Sequence, residues 1–146
     1  MAQVNAYLNF NGNCEAAFTF YKNAFEKEFE YIGRFKDAPS EVELTEEEGN
    51  KIMHVTLRIS DATVLMGSDC DEKFSPLATF GNNISISINT DSEEEANDLF
   101  NKLSDGGKVT MPLDKTFWGA YFGMFIDKFG INWMVNYDYE TNEKQN

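Results

Sequence analysis

The two halves of this chain repeat one another, and the repeat limits its possible folds more than any other feature. With Ala17 aligned on Ala96, apolar residues follow in both halves three, four and seven positions later, a spacing typical of one helix face. Strand-like and hairpin-like runs flank the two helices, at 4–10, 54–66, 83–89 and 121–134. Two copies of strand, helix and three strands predict an α+β fold. We expect two βαβββ modules forming a curved mixed sheet or half-barrels around a cleft.

The length and composition indicate a single globular domain. The chain has 146 residues, of which 42% are hydrophobic and 14% aromatic, so it can bury a core without disulfides. We expect module one at about 1–72, a connector at about 73–81, module two at about 82–140 and a polar tail at 141–146.

Charge and hydropathy exclude several classes of protein. A formal net charge of −13 would repel nucleic acid, so we expect no nucleic-acid partner. No run approaches the roughly 18 apolar residues of a membrane span, so we expect no membrane partner. The first residues lack the features of a signal peptide, which favours a cytoplasmic location. Cys14 and Cys70 have no C-x-x-C spacing and are expected there as reduced thiols.

Both predicted helices begin after residues that can cap a helix N-terminus. Asn13 precedes the first helix and is the expected cap. At the second, Ser92 and Glu95 fit a capping box, although Thr90 or Asp91 could be the cap instead.

The two modules differ in length at one place. Ala17 and Asp61 are 44 positions apart, whereas Ala96 and the matching Asp127 are 31 apart, so module one has 13 additional residues. They lie around 38–51, an acidic stretch without a strong apolar period, for which we expect an extended or mobile loop. Such a loop could fold over a ligand or remain a solvated surface segment.

Side-chain alternation in three strands predicts polar or small residues on one side of the sheet. These residues are His54, Thr56, Arg58, Ser85, Ser87, Asn132, Met134 and Asn136. The three isoleucines that alternate with Ser85 and Ser87, at 84, 86 and 88, should pack under a helix. A polar face of this kind is consistent with ligand binding, and equally with a sheet that faces solvent.

Four side chains are candidates for a role in binding or catalysis. His54, the one histidine, could be a general base or an exposed strand residue. Arg58 could hold a carboxylate or phosphate, or form a surface ion pair. Trp118 and Tyr121 could stack on a flat ligand, or pack in the core or in a dimer interface.

Four segments of the chain carry a family pattern, at 7–22, 34–37, 65–69 and 118–133. In the last, an aspartate, a glycine and a tryptophan follow one another within a hairpin. Together they resemble the PhnB-like branch of the vicinal oxygen chelate superfamily, which includes glyoxalase I and bleomycin-binding proteins. The resemblance implies two βαβββ modules, usually in a homodimer. Proteins of this branch often carry the label 3-demethylubiquinone-9 3-methyltransferase, but the chain has no glycine-rich nucleotide-binding loop to support it.

Enzymes of that superfamily hold a metal with four ligands, usually histidine and glutamate, on the first and last strands of the modules. The resemblance places these positions at Ala6, Ser85, Met134 and either Leu65 or Met66. None of them carries a carboxylate or an imidazole, so we expect neither a metal site nor a cofactor.

These observations predict a small-molecule-binding protein whose ligand the sequence does not identify. The ligand-binding candidates are Arg58, Thr56, Ser85, Ser87, Trp118, Tyr121, Asn132 and Asn136, and the catalytic candidate is His54. The alternative is an enzyme without metal, or with a non-standard metal site, that acts on a small polar or anionic organic substrate. We expect a homodimer in either case.

Overall fold

The computed structural model describes residues 1–39 and 41–139, so the predicted tail at 141–146 lies outside the described residues. The strands are β1 Ala6–Phe10, β2 Phe29–Arg34, β3 Ile52–Arg58, β4 Val64–Asp69, β5 Ile86–Asn89, β6 Lys108–Lys115, β7 Ala120–Ile126 and β8 Asn132–Asp138. The helices are α1 Cys14–Phe25, α2 Glu46–Asn50 and α3 Glu93–Ser104, and a 3-10 turn spans Phe35–Asp37. No helix within these ranges is long and apolar enough to cross a membrane.

The chain divides into two compact units with the same topology. Unit 1 is Met1–Thr79 and unit 2 is Phe80–Asn146. Unit 1 contains a sheet of order β1-β4-β3-β2, and unit 2 a sheet of order β5-β8-β7-β6. In each sheet the first strand runs parallel to the last, and the other pairs are antiparallel. The prediction of an α+β fold made of two βαβββ modules is confirmed.

In unit 1, the buried face of α1 packs on one side of the sheet. Ala17, Phe18 and Tyr21 are buried at the spacing of one helix face, as predicted. Below them, β4 has a glycine, Gly67, because a Cβ there would lie 2.6 Å from the Phe18 ring. Gly67 pairs with Val55, so this face of the sheet belongs to the core.

The first turn of α1 is capped from a distant strand. Asn13 occupies the N-cap position, but its side chain makes no capping hydrogen bond. Instead, Asp69 Oδ1 at the end of β4 accepts from the backbone N–H groups of Gly12 and Cys14, each at 2.9 Å. Its Oδ2 accepts from Ile52 N–H at 2.9 Å. The expectation that the Asn13 side chain caps the helix is therefore wrong, because a buried carboxylate supplies the acceptor.

In unit 2, α3 packs on its sheet through the predicted stripe Ala96, Leu99, Phe100 and Leu103. Its cap is local. Ser92 Oγ accepts from Glu95 N–H at 3.0 Å, as the capping box predicts. The glutamate carboxylate accepts from Asp91 N–H at 3.1 Å and not from the cap residue itself.

The two modules align with a shift of one residue between strand and helix. The helices align with Ala17 opposite Ala96. The strand pairings instead align Ala6 with Ile86, because Ala6 pairs with the buried Leu65 and Ile86 pairs with the equivalent buried residue, Trp133. The sequence alignment, which sets Ala6 opposite Ser85, is therefore off by one in the first strand. Counted from these matched positions, Ala17 lies 11 residues after Ala6, whereas Ala96 lies 10 residues after Ile86.

The aspartate, glycine and tryptophan pattern forms the turn between β7 and β8. Asp127 Oδ1 accepts from the N–H groups of Phe129 at 2.8 Å and Ile131 at 3.0 Å, and its Oδ2 accepts from Trp133 Nε1 at 2.8 Å. Gly130 has a φ of 92°, a conformation that glycine adopts readily and other residues rarely. The turn and the buried indole are thus held by one carboxylate.

The acidic segment around 38–51 is partly helical. Thr45 Oγ1 accepts from Glu48 N–H at 3.1 Å, and Glu48 Oε1 accepts from Thr45 N–H at 2.9 Å, which closes a capping box on α2. Lys73 Nζ donates to Glu48 Oε1 at 2.8 Å. The expectation of an extended segment is wrong at Glu46–Asn50, because caps, which need no apolar period, define this short helix.

Candidate functional site

The side of the unit 1 sheet opposite α1 carries a cluster of polar and aromatic side chains. We call it the His54 face, and it consists of Tyr7, Tyr31, His54, Thr56 and Met66. The register places Tyr7 beside Met66, Met66 beside Thr56, and Thr56 beside Tyr31, so the four strands contribute one row of side chains. The predicted grouping of His54 with Thr56 is observed.

His54 lies in a chain of hydrogen bonds. Its Nδ1 is 3.2 Å from the Tyr7 hydroxyl, and its Nε2 is 2.9 Å from Thr56 Oγ1. Both ring nitrogens therefore have a partner in either neutral tautomer. A hydroxyl–imidazole–hydroxyl chain can orient a ligand or pass a proton along its length.

Two tyrosines flank the imidazole. The ring centroids of Tyr7 and His54 are 5.6 Å apart, and those of Tyr31 and His54 are 6.0 Å apart. Tyr7 is 43% exposed and Tyr31 is 51% exposed, so their rings remain accessible. Sequence reasoning did not assign either tyrosine to the site. The signal available for Tyr7 was its alternation with Ala6 and Leu8.

A glycine makes room for Tyr31 on this face. Gly33 pairs with His54 across the β2–β3 ladder, and a Cβ at Gly33 would clash with the Tyr31 phenol. Substitution of Gly33 must therefore displace the tyrosine ring.

Arg58 lies at the end of β3 and is bound to acceptors of its own unit. Its Nε is 3.1 Å from Glu30 Oε1, and its NH1 donates to the carbonyl oxygens of Ser60 at 3.3 Å and Asp61 at 3.2 Å. The structure thus shows the surface ion pair that was one of the two alternatives for Arg58. A role as the charge partner of a ligand stays a prediction and would require the Glu30 pair to open.

In unit 2, the corresponding side of the sheet carries Ser87, Met111, Met124 and Met134. We call it the Met134 face. Met134 pairs with Ser87 on one side and Met124 on the other, and Met124 pairs with Met111. Ile86 and Ile88 of β5 lie on the α3 side as expected, since Ile86 pairs with the buried Trp133. The expectation is wrong for Ile84, which precedes β5 and is 76% exposed.

The other predicted polar residues of unit 2 are engaged within that unit. Asn132 Nδ2 donates to the Gly81 carbonyl at 2.7 Å. Asn136 Nδ2 donates to Asn89 Oδ1 at 3.2 Å and to Asp138 Oδ1 at 3.0 Å. Ser85 is half-buried and immediately precedes β5.

The two predicted aromatic candidates lie on different sides of unit 2. Trp118 is 54% exposed and meets Phe122, which shares a face with Met124. Tyr121 instead donates its hydroxyl to Asn97 Oδ1 on α3 at 2.7 Å, so its side chain lies on the helix side of the sheet. The structure does not place Tyr121 beside Ser87.

The positions where the resemblance places metal ligands hold no matching donor set. The strand pairings place Ala6 beside Leu65, Met66 beside Tyr7 and Met134 beside Ser87, and Ser85 precedes β5, so none of the predicted positions carries an imidazole or a carboxylate. Hydroxyl and thioether groups do not replace the imidazole and carboxylate ligands of a divalent ion. Within the described ranges, no group of three or more histidine, cysteine, aspartate or glutamate side chains could hold a metal.

The two thiols and a surface pocket lie apart from the predicted site residues. Burial raises the pKa of the Cys14 thiol, so it stays protonated, and both cysteines are free. A surface pocket of about 400 Å³ lies along the acidic segment, lined among others by Phe35, Val42 and Leu44. No predicted site residue lines this pocket.

Comparison with known proteins identifies the family. A sequence profile of the family described as 3-demethylubiquinone-9 3-methyltransferase matches residues 2–136. This chain is a PhnB-like member of that family. The predicted resemblance to PhnB-like proteins is thereby confirmed.

Individual relatives of this PhnB-like chain agree with that assignment. It is 42% identical to protein PA1353 from Pseudomonas aeruginosa, with 94% of this chain and 98% of that chain covered and a TM-score of 0.82. The Bacillus cereus PhnB protein, a putative 3-demethylubiquinone-9 3-methyltransferase, is 26% identical over 93% and 99% of the chains, with a TM-score of 0.72. Protein YjdN from Escherichia coli (strain K12) is 28% identical over 91% of this chain and 93% of its own.

A glyoxalase-related enzyme from Fulvimarina pelagi shares the fold of the PhnB-like chain. It is 17% identical over 94% of this chain and 89% of its own, with a TM-score of 0.63. The fold is therefore glyoxalase-like.

Proposed function

We propose that this PhnB-like protein binds a small organic molecule on the His54 face without the metal of its superfamily. The observation that carries the proposal is the Thr56–His54–Tyr7 hydrogen-bond chain on an accessible, aromatic-lined sheet face. Aromatic rings provide apolar contact area, and the hydroxyl and imidazole groups provide directional hydrogen bonds, the usual combination in ligand sites.

The family description raises methyl transfer as another function. The sequence has no Gly-x-Gly-x-x-Gly pattern, and the segment between β1 and α1 is Asn11-Gly12-Asn13. Two N–H groups of that segment and of the helix start bind Asp69 and are therefore not available to a ligand. Binding therefore accounts for more of the observed residues than methyl transfer does.

Copurification tests the proposal directly. The protein is purified under native conditions and then denatured, and the released small molecules are measured by mass spectrometry. We expect one compound near stoichiometric amount in the wild-type protein and little in His54→Ala. Tyr139→Phe is the matched control, because it removes a phenol hydroxyl that binds Glu93 in unit 2. A compound retained equally by His54→Ala, or none in the wild-type protein, would contradict the proposal.

Metal loading tests the second part of the proposal. Because Ala6, Ser85, Met134 and either Leu65 or Met66 stand at the positions that the resemblance gives for the metal ligands, we expect no stoichiometric Zn, Ni, Mn or Fe by elemental analysis. Dialysis against these ions should leave the melting temperature nearly unchanged, since a ligand stabilises only by binding the folded state. One tight metal per chain would overturn this part.

Catalysis is the second candidate function. The hydrogen-bond chain through His54 favours it, since an imidazole between two hydroxyls can act as a general base. The copurified compound distinguishes the two functions. Incubated with fresh protein, it should remain unchanged if the protein only binds it, and should be converted at a rate that falls in His54→Ala if the protein is an enzyme.

A further inference from the structure

The number of hydrogens in the Thr56–His54–Tyr7 chain determines what it can offer a ligand. Neutral His54 has one N–H, and each hydroxyl has one O–H, which gives three donor hydrogens. The two observed hydrogen bonds use two of them, at 3.2 and 2.9 Å. One O–H is therefore left over in either tautomer, on Tyr7 or on Thr56, and it can donate to an acceptor on a ligand.

The structure favours Tyr7 as the donor that faces a ligand. Tyr7 is 43% exposed, whereas Thr56 is half-buried in the row between Met66 and Tyr31. When Thr56 donates to Nε2 and Nδ1–H donates to Tyr7, the phenol O–H is free to point outward. A phenol is also the more acidic of the two hydroxyls and hence the stronger donor.

The flanking rings indicate a planar ligand. Tyr7 and Tyr31 lie on either side of His54, tilted by 38° and 37° from its plane. A flat ring can contact such a surface with its face while its substituent reaches the Tyr7 hydroxyl.

We infer that the ligand is a planar molecule whose carbonyl or carboxylate oxygen accepts a hydrogen bond from Tyr7. This inference rests on the proposed function, namely that a small organic molecule binds to the His54 face. It adds the chemical class of the ligand and the orienting atom, the Tyr7 phenol oxygen.

Protonation of His54 separates the two acceptor classes. A protonated imidazole donates from both nitrogens, so both hydroxyls are then free to donate and the face gains a positive charge. A carboxylate should bind more tightly in that state, by about tenfold for one charge-assisted hydrogen bond, whereas a neutral carbonyl should gain less.

The side chains that face His54 come from three neighbouring strands. Facing it are Tyr7 on β1 and Tyr31 on β2, while β4 contributes Met66, which does not titrate. At the end of β3, Arg58 is paired with Glu30, so it reaches a ligand only if that ion pair opens.

Three simple probes test the inference by NMR. They are benzoate for the carboxylate, acetophenone for the carbonyl, and benzylamine as a ring that offers no acceptor. His54 is the one histidine of the chain, so its Hε1 resonance reports this face without ambiguity. We expect millimolar benzoate or acetophenone to shift this resonance and benzylamine to leave it in place.

Variants separate this inference from the proposed function. Tyr7→Phe keeps the ring and removes the donor, so the affinity for benzoate and acetophenone should fall about tenfold. Saturation transfer from the protein to each probe measures this affinity. Tyr139→Phe should leave it unchanged. If both acceptor probes fail to shift His54, or Tyr7→Phe binds them normally, the inference is overturned. If the wild-type protein, but not His54→Ala, copurifies with a compound that has no acceptor, the inferred ligand class is wrong and the proposed function stands. If no compound copurifies and no probe binds, both the inference and the proposed function are wrong.

Discussion

At the scale of single residues, two buried aspartates organise the ends of strands. Asp69 holds the start of α1 and the start of β3, and Asp127 holds a turn and the Trp133 indole. Each carboxylate accepts three hydrogen bonds from N–H groups that are largely shielded from water. Loss of such an acceptor leaves buried donors unsatisfied, and this is more costly than loss of an exposed hydrogen bond.

Substitution of Asp127 tests the cost of losing such a buried acceptor. Asp127→Asn replaces one oxygen by an N–H₂ group, which cannot accept from the indole and from both backbone N–H groups at once. We expect a loss of about 2–3 kcal/mol in the free energy of unfolding, measured by urea denaturation. Asp98→Asn, on the exposed side of α3, is the control and should change it by less than about 0.5 kcal/mol. Equal stability of the two variants would show that the carboxylate is dispensable.

At the scale of elements, the helices α1 and α3 have the same length but are capped differently. Ser92 caps α3 through its own hydroxyl, whereas Asn13 stands at the cap position of α1 without making the bond. The difference gives a matched pair of variants.

We expect Ser92→Ala to lower the free energy of unfolding by about 1 kcal/mol, because it removes the acceptor for Glu95 N–H. Asn13→Ala should change it by only a few tenths of a kcal/mol, since its side chain makes no capping bond. Thermal or urea unfolding of both variants under one condition gives the comparison. A larger effect at Asn13 would show that its side chain caps α1 in solution.

The same elements show what could be predicted from sequence. The stripe Ala96, Leu99, Phe100 and Leu103 and the two hairpins follow from local periodicity, which a sequence displays directly. The cap by Asp69 does not, because it lies 55 residues from Cys14. The one-residue shift between strands was hidden for a similar reason, since only the pairing partners of Ala6 and Ile86 reveal it.

The candidate site was predicted in part. Alternation along β3 placed His54 and Thr56 on one face, but the tyrosines on β1 and β2 join them through pairings that no local pattern encodes. Arg58 had two interpretations from sequence, and only the position of Glu30 across the sheet shows the ion pair.

At the scale of the whole molecule, several surface carboxylates link stability to acid pH. Arg34 lowers the pKa of Glu15, Lys73 lowers that of Glu48, and the Lys73 N–H and then Lys51 lower that of Asp71. Carboxyl groups whose pKa is lower in the folded state stabilise it above their unfolded pKa of about 4, and this contribution disappears as the pH falls through the folded pKa.

We therefore expect the melting temperature to fall between about pH 5 and about pH 3. The double variant Lys51→Met/Lys73→Met should reduce that fall, because it removes the cations that favour the charged carboxylates. The effect should be small, since ion pairs near the surface contribute little and are screened by salt. Lys102→Met is the control, and an identical acid profile in the double variant would contradict the linkage.

We also propose that the chain forms a homodimer. The edge strand β6 exposes apolar side chains, with Val109 and Met111 at 44% and 45% exposure. Light scattering at micromolar concentration should give about twice the 16.6 kDa chain mass. Met111→Lys should shift the mass toward that of a monomer if this face takes part, and a monomeric wild-type protein would exclude a tight dimer.

The origin of the two helix caps has a consequence for the order of folding. Ser92 is adjacent to α3, so this helix can be capped as soon as it forms, whereas α1 waits for Asp69, which a loop of more than 50 residues must bring to it. Replacement of Ser92 should therefore slow refolding, whereas Asp69→Asn should mainly accelerate unfolding. Although the two units share one topology, unit 2 would then form before unit 1 during refolding.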